Sequence, residues 1–264
     1  MPAIIDFHTH AFPDELAERV IQMLEDEGGI KAHLDGKISS LLSSMDSCGI
    51  EKSVICNIAT KPSQADSILQ WCKTIGSERI IPFPSFHPFD PEFRRRVDAI
   101  KQAGLKGIKF HPYYQDFVID DERLMPVYET ICDENLILVM HTGFDFAFPR
   151  TKIADPEKII NILGTFPSLN LVTTHLGAWE QWHEVADFLL GKQIYMEISF
   201  SLDFLNDTVR KIITSHPPEF ILFGTDSPWT DQEKTLSLLK GLQLGEEKEE
   251  LILRENAAKL LNSV

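Results

Sequence analysis

Short apolar runs alternate with amphipathic stretches along the whole chain. Several of the runs are nearly continuous in Val, Ile, Leu and Phe, which is typical of parallel strands that are buried on both faces. They predict eight strands: Ile4–His8, Ser53–Ile58, Ile80–Phe86, Gly107–His111, Ile137–His141, Leu169–His175, Ile194–Ser199 and Phe220–Thr225.

Segments with a helical spacing of apolar residues lie between these strands. The predicted helices are Asp14–Glu27, Leu41–Cys48, Glu92–Ala103, Asp121–Glu134, Asp155–Leu163, Trp179–Leu190, Phe204–Ser215, Lys234–Leu242 and Glu247–Asn262. Strands that alternate with helices in this way predict an α/β fold, the (β/α)8 TIM barrel. No linker-like composition interrupts the pattern, so we predict one domain over residues 1–264.

An open, doubly wound sheet is the alternative fold. Binding a nucleotide on such a sheet requires a glycine-rich turn after the first strand. The first strand here ends in His8-Thr9-His10 instead, which favours the barrel and directs attention to metal binding.

The overall charge narrows the classes of partner. A net charge of −15 argues against nucleic acid and anionic membrane surfaces, which bind basic proteins, but it allows a small-molecule substrate. No apolar run approaches the roughly 20 residues of a membrane span. Four cysteines without a C-x-x-C pair, Cys48, Cys56, Cys72 and Cys132, are typical of reduced thiols. We expect a cytoplasmic protein without a leader peptide.

Histidines accumulate at the carboxyl ends of the predicted strands. Six of the nine lie there: His8, His10, His87, His111, His141 and His175. In a barrel these strand ends converge on one face, where active sites occur.

Four strand-end residues together predict a metal site. His8 and His10 are two positions apart, so their side chains lie on the same side of an extended strand. With His141 after strand 5 and Asp226 after strand 8, they form a nitrogen and oxygen ligand set. Such a set suits one divalent metal, zinc above all, with manganese, iron or cobalt as alternatives. The ion would activate water at neutral pH.

The same residues lie in motifs that resemble a known family. Five motifs resemble those of the amidohydrolase superfamily. In chain order they are IIDFHTH, GIKFHPYYQ, VMHTG, VTTHLG and LFGTDSPW. The chain is most similar to the amidohydrolase-related branch that includes aminocarboxymuconate semialdehyde decarboxylase and the resorcylate-type decarboxylases. The resemblance extends from Ile4 to the closing helix at Leu261. It implies a metal-dependent TIM-barrel enzyme and suggests a homodimer.

The resemblance also implies roles for individual residues. His8, His10 and His141 match the histidine ligands, and Asp226 matches the carboxylate that binds metal and exchanges a proton with the nucleophilic water. His175 matches a histidine that acts as acid/base or polarises the substrate in single-metal members, and that binds metal in two-metal members.

Lys109 matches the position at which two-metal members carry a carboxylated, bridging lysine. We expect one metal instead, with Lys109 uncarboxylated and in contact with substrate or with neighbouring structure. His111 is open between a substrate contact and a loop role. Arg150 lies in the aromatic segment FDFAFPR, and two roles are open for it. The segment could be a lid from which Arg150 binds a substrate carboxylate, or a loop that simply packs on the barrel.

Further polar residues are weaker candidates. Glu197 on the seventh strand faces either the barrel interior or a helix, and His87 is expected to cap its turn. Trp179 and Trp229 are candidates for the cavity wall. Three histidines away from the strand ends are expected on the solvated surface: His33, His183 and His216.

The leading functional prediction is a metal-dependent hydrolase that acts on a small amide, lactone or related substrate. Asp226 and His175 would be its catalytic residues. A nonoxidative decarboxylase of a small carboxylic acid is the alternative. It needs a cation for the substrate carboxylate, and Lys109 and Arg150 are the candidates; short loops favour the hydrolase. A non-catalytic metal-binding barrel is the third hypothesis.

Overall fold

A computed structural model describes residues 3–264; Met1 and Pro2 of the predicted domain lie outside the described residues. Eight strands follow in chain order: β1 Ile4–Thr9, β2 Ile50–Cys56, β3 Ile80–Phe83, β4 Gly107–Phe110, β5 Ile137–Met140, β6 Asn170–Thr173, β7 Tyr195–Glu197 and β8 Ile221–Leu222. All neighbouring strands pair in parallel, within a sheet β1-β2-β3 and a sheet β4 to β8.

Backbone hydrogen bonds join the two sheets into one barrel. Along the β8–β1 seam, the Phe7 N–H donates to the carbonyl of Phe223 at 2.8 Å, and the Asp226 N–H donates to the carbonyl of His8 at 2.7 Å. Along the β3–β4 seam, the Lys109 N–H donates to the carbonyl of Pro84 at 3.0 Å. The predicted (β/α)8 barrel is therefore confirmed.

The helices form the outer layer of the barrel. They are α1 Asp14–Gly28, α2 Ile38–Cys48, α3 Ala65–Ile75, α4 Phe93–Gln102, α5 Met125–Asp133, α6 Pro156–Thr165, α7 Trp182–Phe188, α8 Asp207–Ser215, α9 Gln232–Gly241, α10 Glu246–Glu250 and α11 Asn256–Asn262. Short 3-10 turns occupy Pro62–Gln64, Glu122–Leu124, Ser201–Phe204 and Pro218–Phe220.

Helix α3 is an element that the sequence analysis left unassigned, and that omission is wrong. Ala65, Leu69 and Cys72 recur at helical spacing. Ala65 and Leu69 pack in the larger core cluster, and Cys72 is fully buried. This helix matters for function because part of it forms a wall of the cavity described below.

The carboxyl-terminal segment is predicted as one helix, but a π-helical turn at Leu251–Glu255 separates α10 from α11. The carbonyl of Ile252 accepts a hydrogen bond from the Phe223 N–H at 2.9 Å. The Asn256 amide donates to the carbonyl of Ile221 at 2.8 Å. The turn thus lets the last helix bond directly to β8.

The barrel interior is apolar at the end remote from the strand-end histidines. Side chains from the strands, including Ile5, Phe7 and Val139, form a buried cluster with Ala257 and Leu260 of α11. A second, larger buried cluster lies between the strands and the surrounding helices. With the amino-terminal end filled, the carboxyl-terminal end of the barrel is left to hold a site.

Three further predictions concern the histidines away from the strand ends, the cysteines and the lack of a membrane span. His33 and His183 are exposed as expected, but His216 is buried and its Nε2 lies 3.0 Å from the carbonyl of Ile194, so its predicted surface position is wrong. All four cysteines are free thiols, and burial raises the pKa of Cys56 and Cys72 to about 12. Across residues 3–264, each helix is too short or too polar to cross a membrane.

Candidate active site

His8, His10 and Asp226 form a compact group at the carboxyl-terminal mouth of the barrel. The Nε2 atoms of the two histidines are 3.1 Å apart. Asp226 Oδ1 lies 2.9 Å from His10 Nε2 and 3.4 Å from His8 Nε2. All three residues offer a ligand atom within 4.8 Å of the others. The structure therefore brings together three of the four predicted ligands.

The hydrogen bonds of the two imidazoles determine which nitrogen carries the proton. His8 Nδ1 lies 3.0 Å from Glu197 Oε1, and His10 Nδ1 lies 2.7 Å from the carbonyl of Cys56. Because both partners are acceptors, each proton belongs on Nδ1 and each Nε2 presents a lone pair. Asp226 Oδ1 is buried and receives no hydrogen bond. Three acceptors that converge on one point fit a divalent cation.

Glu197 is a site residue to which the sequence analysis assigned no function. Besides its contact with His8, its carboxylate accepts from the Ser199 N–H at 2.7 Å, the Ser199 hydroxyl at 2.8 Å and the His175 N–H at 2.9 Å. Burial raises the pKa of Glu197, while His175 and these hydrogen bonds oppose the increase. An acidic residue between Met196 and Ile198 on a buried strand was the available signal.

Gly224 gives Glu197 the space it occupies. A Cβ at position 224 would lie 2.3 Å from Glu197 Oε2 and 3.2 Å from His8 Cβ. The glycine of the LFGTDSPW motif is therefore required by close approach of the carboxylate.

His141 and His175 form a second pair beside this group. His141 Nε2 lies 2.9 Å from the carbonyl of Phe144, so its Nδ1 lone pair faces His175 Nε2 at 3.2 Å. His175 Nδ1 lies 2.9 Å from the Ser199 hydroxyl. The His175 ring is 5.5 Å from the ring of His8 and 4.9 Å from that of His141. His175 thus stands between the predicted fourth ligand and the other three.

Two residues of the site, His175 and Asp226, have an unusual backbone conformation. His175 has φ of 56° and Asp226 has φ of 61°, both in the left-handed region. Such residues cannot extend a parallel ladder, which explains why β6 and β8 end before the site residues rather than at them. Left-handed conformations in residues other than glycine concentrate at functional sites.

Lys109 is fully buried at the end of β4, directly beside the proposed metal ligand His8. Its Nζ lies 3.2 Å from His8 Nε2, so the ammonium faces the lone pair that His8 directs at Asp226. The side chain is close enough to influence both an ion and a substrate bound there.

Charges and burial shift the pKa values of four residues of the site, His8, His111, His141 and Asp226. Burial, with Lys109 as the next cause, lowers the pKa of His8 and His111; burial and His111 lower the pKa of His141. Burial alone would raise the pKa of Asp226, but the adjacent His8 and His10 bring it below its usual range. Neutral imidazoles and an ionised carboxylate are the forms that bind metal.

A cavity of about 590 Å³ opens above these residues. Its wall is mostly apolar and comes from α1, α3 and the segments after β1, β4, β5, β6, β7 and β8. The larger side chains are Phe12, Leu16, Met23, Trp71, Tyr114, Phe144, Phe146, Trp179, Phe200 and Trp229. The predicted wall positions of Trp179 and Trp229 agree with this. Among the described lining residues, Lys109 carries the one lysine or arginine charge.

Arg150 does not join the cavity wall. Its guanidinium pairs with Glu180 at 2.7 Å, donates to the carbonyl of Asp145 at 2.9 Å and lies 4.9 Å from the ring of Trp179. The guanidinium is therefore engaged by Glu180 and by its own loop and is absent from the cavity lining, which favours the loop-packing alternative for Arg150. Phe144 to Ala147 of the same segment do line the cavity.

His111 does line the cavity, and its partner is a residue that the sequence analysis did not single out. His111 Nε2 lies 3.4 Å from Asp145 Oδ2, and the ring stacks on His141 at 4.0 Å. His87, in contrast, accepts from the Phe89 N–H at 3.2 Å, which is the expected turn-capping contact.

Comparisons with known proteins agree with this geometry. The family model described as Amidohydrolase matches residues 5–262. Among solved structures, an uncharacterized TIM-barrel protein from Bordetella bronchiseptica is 21% identical, with 99% of each chain covered and a TM-score of 0.78. A 5-carboxyvanillate decarboxylase from Novosphingobium aromaticivorans, complexed with manganese and 4-hydroxy-3-methoxy-5-nitrobenzoic acid, is 15% identical over 99% of this chain and 96% of that chain, with a TM-score of 0.70.

A probable 2-pyrone-4,6-dicarboxylic acid hydrolase from Acinetobacter baumannii is 14% identical over 98% of this chain and 99% of that chain, with a TM-score of 0.66. A search of curated protein sequences found no match. The structural similarities at these identities establish the shared barrel, and the family model covers nearly the whole sequence. The chain belongs to the amidohydrolase family and is an enzyme of that family.

Proposed function

We propose that this enzyme is a metal-dependent hydrolase that cleaves a small amide, lactone or related substrate. The observation that carries the proposal is the convergence of His8 Nε2, His10 Nε2 and Asp226 Oδ1, three acceptors with no proton to share between them. One divalent ion, zinc by our proposal, satisfies all three. His141, which follows β5 and contacts His175 on the side away from His8, would complete the ligand set.

When bound, the ion supplies Lewis-acid activation of water and of the substrate carbonyl. The side chains perform the proton transfers. Asp226, ionised and at the centre of the group, accepts the proton of the attacking water and returns it to the leaving group. His175, whose Nδ1 lies 2.9 Å from the Ser199 hydroxyl, acts as the second acid/base residue through its Nε2.

The character of the cavity supports hydrolysis of an uncharged group. Its wall is rich in aromatic and aliphatic side chains, and Arg150 is paired with Glu180 rather than available to a substrate carboxylate. A neutral carbonyl compound with an apolar body suits such a wall better than a polycarboxylic acid does.

Decarboxylation of a small carboxylic acid is the second candidate, and Lys109 favours it. A buried ammonium 3.2 Å from His8 Nε2 could hold one substrate carboxylate next to the ion. A decarboxylase is also among the similar structures, and that protein holds manganese, so manganese is the second metal to test.

A substrate panel separates the two reactions. We would load the protein with zinc or manganese and offer phenyl acetate, dihydrocoumarin and acetanilide beside 2-hydroxybenzoate, measuring acid release and CO2 release in parallel. Hydrolysis of a neutral substrate, abolished in a folded His8→Ala/His10→Ala variant, is the expected result. CO2 release without any hydrolysis would overturn the proposal in favour of the second candidate.

Metal content per chain tests the single-ion proposal. We expect about one equivalent by plasma mass spectrometry in protein made without a histidine tag. Two equivalents, with the second dependent on added bicarbonate, would instead make His175 a ligand and Lys109 a carboxylated bridge.

We also propose a cytoplasmic homodimer. The acidic composition and the family resemblance support it, and light scattering of the purified protein together with cell fractionation would test it.

A further inference from the structure

His111 and Asp145 occupy one side of the cavity, beside the proposed metal ligand His141. His111 ends β4 and Asp145 belongs to the segment after β5, and both residues are buried and line the cavity. His111 Nε2 lies 3.4 Å from Asp145 Oδ2. The proposed chemistry uses neither side chain, so the pair is free to perform another task.

The Asp145 carboxylate has no cationic side chain to balance it among the described residues. Its Oδ1 accepts from the Ala147 N–H at 2.9 Å. Its Oδ2 is near two imidazoles, His111 at 3.4 Å and His141 at 3.8 Å, and His141 directs its Nε2 proton to the carbonyl of Phe144 at 2.9 Å. The nearby guanidinium of Arg150 donates to the backbone carbonyl of Asp145, not to its carboxylate.

His111 presents a second unused acceptor. Its Nδ1 is buried without a hydrogen-bond partner. When the Nε2 proton faces Asp145, this Nδ1 carries a lone pair. His111 Nδ1 is enclosed by protein, so the acceptor that a ligand in the cavity can reach is the partly accessible Asp145 carboxylate. A buried acceptor without a donor is costly to leave unpaired.

We propose that His111 and Asp145 form a recognition subsite for an N–H-donating group of the substrate, such as an amine, an amidine or an amide nitrogen. The charges of the wall agree: Asp145, Asp226 and the rim residue Glu15 are acidic, against the single Lys109. Substrates with a neutral or cationic group at this position are accepted, and substrates with an anionic group there are rejected.

The subsite refines the proposed hydrolase by naming a substrate class, and in that sense it rests on the proposed function. Its test measures binding rather than turnover, so the two can fail separately. If no panel substrate is hydrolysed but the binding preference below is present, the subsite stands and the reaction assignment falls.

The experiment uses three probes of one shape: benzamidine, a cationic N–H donor; acetophenone, its neutral isostere without a donor; and benzoate, an anion. Binding to the zinc-loaded protein is followed by calorimetry and by quenching of Trp179 and Trp229, which line the cavity. Because a charge-assisted hydrogen bond is strong, benzamidine should bind about tenfold or more tightly than acetophenone.

Asp145→Asn keeps the shape of the side chain and removes its charge, so it should reduce that ratio to about threefold or less. Glu18→Gln is the matched control, since it removes one acidic charge from an exposed position of α1 outside the cavity lining and should leave the ratio nearly unchanged. Circular dichroism and melting temperature confirm that both variants are folded. Equal binding of benzamidine and acetophenone, tighter binding of benzoate, or an unchanged ratio in Asp145→Asn would overturn the proposal.

Discussion

Glu197 Oε1 lies 3.0 Å from His8 Nδ1, and the same oxygen accepts from the His175 N–H at 2.9 Å. One carboxylate oxygen therefore orients the imidazole of His8 on β1 and binds the backbone of His175, the proposed acid/base residue after β6. Such carboxylate–histidine contacts set which nitrogen of the ring faces the ion.

Replacing Glu197 by Gln should weaken metal binding while preserving the size of the side chain. The amide can present an NH2 group to His8 Nδ1, which disfavours the tautomer that leaves Nε2 free. We expect zinc affinity to fall about 10- to 100-fold, measured by competition with a chelator. Glu219→Gln, the same change at an exposed position outside the cavity lining, is the control. An unchanged zinc affinity in Glu197→Gln would contradict the assigned role.

Gly224→Ala should displace Glu197 by steric overlap alone. The added methyl would lie 2.3 Å from Glu197 Oε2, so the carboxylate must leave the position in which its Oε1 contacts His8. We expect a loss of about 1–3 kcal/mol in the free energy of unfolding together with weaker zinc binding. Chemical denaturation and chelator competition measure the two effects. Gly164→Ala, where the new Cβ meets no atom within 4 Å, is the matched control.

Lys109→Met distinguishes one metal from two. In a single-ion site the buried ammonium repels the cation, so the variant should keep one equivalent of zinc and bind it at least as tightly as the wild type. In a two-ion site the carboxylated lysine would be the bridge, and the variant would lose an equivalent of metal. Plasma mass spectrometry with and without bicarbonate reads out the difference, and a drop in stoichiometry would contradict the single-ion proposal.

The metal-free protein should become less stable in acid. The lowered pKa values of His8, His111 and His141 mean that the unfolded chain takes up protons near pH 6.5 while the folded chain does not. Stability is therefore complete above about pH 6.5 and falls below it, by up to about 1.4 kcal/mol per pH unit for each histidine. Thermal unfolding between pH 7.5 and 5 measures the slope.

A matched pair of variants isolates this effect. His111→Gln should reduce the acid slope by about one proton, while His183→Gln, at an exposed position, should leave it unchanged. The comparison is needed because Asp6, whose pKa is raised to about 7 by burial, contributes in the opposite sense, losing stability as pH rises toward 7. Equal slopes in all three proteins would show that His111 does not titrate as expected.

The sequence predicted those features that depend on local pattern. Eight strands could be identified because each is a short apolar run, and His8 with His10 because two-residue spacing places both side chains on one face. Helix α3 was equally accessible to that reasoning and was overlooked. The partnership of Glu197 with His8 could not be predicted, because the two residues are 189 positions apart and nothing in either strand encodes the contact.

Arg150 shows a second limit. A cationic residue in an aromatic segment after β5 suggested a grip on substrate, but the direction of the side chain depends on Glu180 and Trp179, which the later segment supplies. His111 was left between two roles for the same reason, since its partner Asp145 comes from another loop. Pairings between loops depend on three-dimensional packing, which a single sequence does not encode by spacing.

The left-handed backbone at Asp226 has a consequence for how this enzyme can evolve. Among the twenty residues glycine adopts that conformation most easily, and aspartate does so at a cost of about 1 kcal/mol. Asp226→Gly would therefore relax the backbone while it removed both a ligand and the proposed proton acceptor. If only folding were under selection, glycine would be favoured at position 226. A descendant that no longer needed the activity could therefore become a more stable but inactive barrel by this one substitution. The aspartate at position 226 thus serves the chemistry of the site at the expense of backbone conformation.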